Sequence, residues 1–156
     1  MWTSDQRTRF DLEHRLLQQE GYSQFSIYHN QNDDTYYGFG VATTSSGRKY
    51  NLYLLIPNGF PYERPSLYVT DPSPLLMFDG KPLTVLGYSH NMHTLAPSNG
   101  YVQICHWRDD RWRASILLHK VFLKGLLWLE AYEQHLATGR PLAEFVPTMV
   151  GHNEQS

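Results

Sequence analysis

The stretch "NGYVQICHW", residues 99–107, holds the only cysteine of the chain, Cys105, between an Asn-Gly turn signal and a His-Trp pair. A thiolate is a strong nucleophile, and imidazoles or other donors close by raise the ionised fraction above the few per cent of a free thiol at neutral pH. His106 follows Cys105 directly, and His90 and His93 lie upstream. Cys105 is therefore a candidate nucleophile, with a small buried hydrophobe as the alternative. His90, His93, Cys105 and His106 are also zinc-ligand types, although adjacent Cys and His do not match the usual zinc spacings. A Cys-His hydrolase is a third option, but no local signature of a cysteine-protease family surrounds Cys105. Neither a glycine-rich phosphate loop nor a paired-carboxylate motif is present, and "RDDR" at 108–111 reads as a solvated charge cluster.

The elements that must position these residues come from periodicity. From Ser4 to about Glu20, Phe10, Leu12, Leu16 and Leu17 recur at threes and fours, with Ser4 or Asp5 as N-cap and Gly21 as stop, which predicts an amphipathic helix. Phe25 and Ile27, then the alternating stretch Tyr36 to Val41, then "KYNLYLLI" predict three strands. "NQNDD" and "TSSG" between them are turn chemistry of hairpin length, so the strands form an antiparallel meander. A fourth strand, Leu67–Thr70, follows "PNGFPYERP". From Asp71 to Ile104 prolines 72, 74, 82 and 97 break every period, and a patternless connection of this length suggests an active-site loop. From Ala114 to about Leu136 an apolar stripe predicts a long helix closed by Gly139 and Pro141. Helix, four strands, long loop and helix make an α+β layer fold.

At 156 residues the chain is sized for one domain, assigned here to residues 1–150, with Gly151–Ser156 as a loose tail. A net charge of −2 with scattered Lys and Arg offers no footprint for a phosphate backbone, so nucleic acid is not the expected partner. No run approaches a membrane span; the nearest, Val121 to Leu129, is interrupted by Lys124 and Gly125. One cysteine forms no internal disulfide, and the N-terminus alternates charge where a signal peptide needs an apolar run, so a cytoplasmic protein is expected.

Taken in order, these pieces resemble the ubiquitin-conjugating enzymes. The resemblance runs from Ser4 to Leu136 and rests on Ile56-Pro57, Phe60-Pro61, Pro65, the strand at Leu67–Val69, His93, Asn99-Gly100, Ile104-Cys105, and Trp112 with a helix behind it. It implies that Cys105 carries the C-terminus of a ubiquitin-like protein as a thioester, received from an activating enzyme and passed to an acceptor protein amine, with no cofactor. It also implies a cis bond at Phe60-Pro61, with Pro65 trans. The family's His-Pro-Asn is replaced by His93-Thr94-Leu95, so the asparagine that serves the tetrahedral intermediate is missing. His93 is the candidate substitute, either as an oxyanion donor or only as a loop brace, with His90 as a lesser one; Asn99 is assigned to the turn. The two further C-terminal helices usual in eukaryotic members are missing, since the chain ends soon after Pro147. With "ICHW" and "WLEAYEQHLATGRPL", this looks like the divergent bacterial members of conjugation and anti-phage operons, where the passenger can instead be the C-terminus of a nucleotidyltransferase. The competing reading is a non-catalytic binding module of the same fold.

Overall fold

Helix α1, Ser4–Gln19, begins on a reciprocal cap: the Thr3 hydroxyl accepts the Gln6 N–H while the Gln6 side chain accepts the Thr3 N–H. The cap is thus Thr3, one residue before the expected Ser4 and two before Asp5. Beyond the C-cap, Gly21 takes φ +86°, the left-handed conformation that glycine adopts without penalty. On the inward side the Glu13 carboxylate, fully buried, accepts from Arg9 and from the Leu118 N–H, which fastens α1 to the start of the second helix.

The computed structural model describes residues 1–146. Strands β1 (Phe25–Asn30), β2 (Thr35–Thr43), β3 (Lys49–Ile56) and β4 (Ser66–Asp71) form the expected antiparallel meander. In β2 the inward positions are Tyr36, Gly38, Gly40 and Ala42, so Tyr37, Phe39 and Val41 face the other side. The reason is space: a Cβ at Gly40 would stand 2.3 Å from the Gln24 carbonyl, and one at Gly38 3.1 Å from the Phe122 ring. The Phe25 and Phe122 rings stack in the room this leaves.

The stretch read as patternless is not. Strands β5 (Thr94–Ser98) and β6 (Tyr101–Ile104) extend the sheet beyond β4, giving the order β1-β2-β3-β4-β6-β5 and six strands rather than four. They escape a periodicity reading because both are short, and because β5 carries Pro97 inside a register shift between Leu95 and Ser98. Proline and a bulge are both tolerated at a sheet edge, where no further strand needs the N–H.

Helix α2, Leu118–Thr138, crosses the sheet, starting four residues later than the sequence suggests. Gly125 brings it close, since a Cβ there would lie 2.7 Å from Leu67. The result is the α+β order that the resemblance implies, helix, antiparallel meander and crossing helix. Phe60–Pro61 is cis and Arg64–Pro65 trans, as expected; Asp71–Pro72 and Ser73–Pro74 are cis as well. Among the described residues no helix is long and apolar enough to cross a membrane. The proposed tail lies outside the described residues.

Candidate active site

Positive φ at two successive residues defines the type I′ turn that closes a two-residue hairpin. Asn99 (φ +53°) and Gly100 (φ +80°) meet that requirement between β5 and β6 and put Ser98 opposite Tyr101. Asn99 therefore shapes the bend, a strand's length away from Cys105. The hairpin sets the register at its other end, where Thr94 pairs with Ile104. One step further the Cys105 N–H donates to the His93 carbonyl at 2.9 Å. The half-buried thiol thus stands at the mouth of the hairpin, beside His93.

His93 occupies a tight backbone position, with φ +51° and its N–H donating to the His90 carbonyl at 3.3 Å. The indole N–H of Trp128, on α2, is shared between the Met92 carbonyl (3.0 Å) and the His93 carbonyl (3.1 Å). Ser89 and Thr94 exchange backbone hydrogen bonds at 3.0 Å and close the loop behind. Bracing of the cysteine loop is thus performed by the main chain of His93. Its imidazole, 7% exposed, lies beside that of His90 with ring centroids 5.7 Å apart. Burial first, then the neighbouring His90 and the Lys124 cation, hold the His93 imidazole below the usual histidine range, so it is neutral at pH 7.

His106 goes elsewhere. Its ring is buried, and Nε2 donates to the Pro65 carbonyl at 2.7 Å, away from any role as a charged partner of the thiol. Burial, aided by the Arg64 charge, pushes its pKa down to about 3. An imidazolium at position 106 is excluded near neutral pH. The structure therefore gathers Cys105, His93 and His90 and sends His106 into the core. Among the described residues no group of three or more His, Cys, Asp or Glu side chains is placed to hold a metal ion.

The residue that sequence reasoning missed is Lys124. Buried at 4% exposure on α2, it donates from Nζ to the His106 carbonyl at 2.7 Å and lies 3.8 Å from the Trp107 ring centroid. Its one sequence signal is the break in the apolar run from Val121 to Leu129. Trp112, expected behind the cysteine, donates from its indole to the Pro61 carbonyl at 2.8 Å and ties the segment after Cys105 to the cis-proline loop.

No family model matches the sequence, and no curated protein matches it. Among solved structures it is similar to human ubiquitin-conjugating enzyme E2 G1, at 14% identity, covering 83% of this chain and 92% of that one, with a TM-score of 0.45.

Proposed function

We propose that the protein is an acyl carrier, a cysteine acyltransferase of the ubiquitin-conjugating type working through Cys105. The observation that carries this reading is the placement of the thiol: half-buried, its N–H fastened to the His93 carbonyl, at the open end of a hairpin that α2 holds from behind. Such a cysteine has its main chain anchored while the residue stays partly exposed to a second protein. In the first step the Cys105 sulfur attacks the thioester carbonyl on an activating enzyme; a C–S bond forms, the donor's C–S bond breaks, and the donor leaves as thiolate. An amine nitrogen of the acceptor then attacks the Cys105 thioester; a C–N bond forms, the C–S bond breaks, Cys105 leaves as thiolate, and the amine proton passes to base. Neither step changes oxidation state, and neither calls for a cofactor. The passenger is the C-terminus of a ubiquitin-like protein or of a nucleotidyltransferase encoded beside it, in a bacterial cytoplasmic conjugation or anti-phage pathway.

The test is loading. Incubated with the activating enzyme, ATP and passenger encoded by neighbouring genes, the wild type is expected to give one adduct that reductant cleaves. Cys105→Ser should trap a reductant-resistant ester or nothing, and Cys105→Ala should give no adduct. Binding of the passenger with no covalent adduct in the wild type would favour the non-catalytic module instead.

A further inference from the structure

A buried ammonium is costly unless it is paired or hydrogen-bonded. Lys124 is such a group, and it contacts the residues that follow Cys105: the His106 carbonyl at 2.7 Å and the Trp107 ring at 3.8 Å. A carbonyl acceptor and an aromatic face both favour the charged form of the amine. The His106 carbonyl belongs to the peptide just beyond the one that Cys105 begins, and successive Cα atoms lie about 3.8 Å apart, so the cation stands within a few peptide-bond lengths of the cysteine. We infer that Lys124 is the positioning residue that keeps Cys105 in its thiolate form, its buried charge acting on the sulfur from behind the His106 peptide without touching the acyl group. This rests on the reading of Cys105 as the nucleophile.

The nearby histidines and Arg64 are weaker sources of that charge. On the loop before β5, burial keeps His93 neutral, and His90 adjoins it. After β6, burial keeps His106 neutral. Arg64, from the segment between β3 and β4, pairs with Asp109 at 2.7 Å, so those two charges largely offset each other. Lys124 is felt on both sides of the cysteine, since its charge contributes to the lowering of His93 and of His106 alike. A unit charge at this range, with the effective screening typical of protein sites, shifts a thiol by about one pKa unit.

The test is the pH dependence of Cys105 alkylation by iodoacetamide in the intact protein, with thermal melting recorded for each variant. Wild-type Cys105 is expected to titrate below the ordinary thiol value of about 8.5. Lys124→Met should raise the midpoint by about one unit and slow alkylation at pH 7 about tenfold, while Lys124→Arg should keep the wild-type profile. A merely structural lysine would lower the melting temperature and leave the midpoint where it was. A wild-type midpoint at or above the ordinary value overturns the inference whether or not the methionine variant folds, as does an unchanged midpoint in a folded Lys124→Met or an arginine variant that titrates like it. The carrier reading fails separately: a lowered midpoint with no thioester formed would leave Lys124 its role and remove the carrier, whereas thioester formation with an unchanged midpoint would do the reverse.

Discussion

Replacing His93 by alanine is expected to slow passage of the acyl group from Cys105 to an amine by about two to three decades while Cys105 still loads. Transfer passes through a tetrahedral oxyanion, and one well-placed donor to such an anion is worth about 3 to 4 kcal/mol. On the proposed reading, with leucine at position 95 where the resembled family has asparagine, that donor is expected from another group. The loop brace is made by the main-chain carbonyl of His93, which accepts from Cys105 and Trp128 whatever the side chain is. On the proposed reading the imidazole is then the candidate donor: it is buried on the residue whose carbonyl holds the Cys105 N–H, and it is neutral, so one ring nitrogen carries a proton to donate. His93→Gln retains an N–H donor and should recover part of the rate. Because φ is +51° at this position, both variants bear a similar backbone cost, so their difference isolates the donor. Single-turnover discharge to free lysine measures it, with melting and loading scored alongside. A loss of loading and stability together with discharge would make His93 a brace only; unchanged discharge in the alanine variant would remove it from the reaction.

The second large effect is on stability in acid. In the unfolded chain His106 takes up a proton as pH falls through about 6.5, whereas in the folded chain burial delays this to about pH 3. Between those values the unfolded state binds the extra proton, so folding stability is fully present above about pH 6.5 and drains away as pH falls, by at most roughly 4 to 5 kcal/mol near pH 3. That is a large share of the total for an ordinary domain. His93, also lowered, adds in the same direction over a window beginning at the same upper limit. The clean range is pH 6.5 to 5, above most carboxylate titration. There a denaturant series should show stability falling by up to about 1.4 kcal/mol per pH unit from His106 alone. His106→Gln keeps an N–H for the Pro65 carbonyl and does not titrate, so its curve should be flatter by that amount. An identical slope in both proteins would contradict the buried neutral imidazole.

How far the sequence speaks for itself differs from residue to residue. The Asn99-Gly100 turn was legible because its chemistry is local: positive φ at both positions selects those two residue types. Helix α1 was legible to within a residue at its cap, since its amphipathic period is set by a single face. The β5–β6 hairpin was not, because Pro97 and the register shift interrupt alternation in strands of only five and four residues. The direction of His106 was equally hidden. Sequence adjacency to Cys105 says nothing of which side of the chain its ring takes, and only the Pro65 carbonyl, 41 residues earlier, decides it. Lys124 escaped for the same reason, since its meaning lies in the His106 carbonyl and the Trp107 ring, 18 and 17 residues away.

The central claim is that an acyl group resides on Cys105 and leaves from it to an amine. The most direct measurement is the intact mass of the protein during a chase: the enzyme is loaded with passenger, the activating enzyme is stopped by removing ATP, and free lysine is added. The account predicts an adduct on Cys105 of passenger mass less one water, which decays as an equal amount of lysine-linked passenger appears. An adduct of the same mass in Cys105→Ala that reductant still cleaves, or passenger joined to lysine at the same rate with no adduct on Cys105, would contradict it.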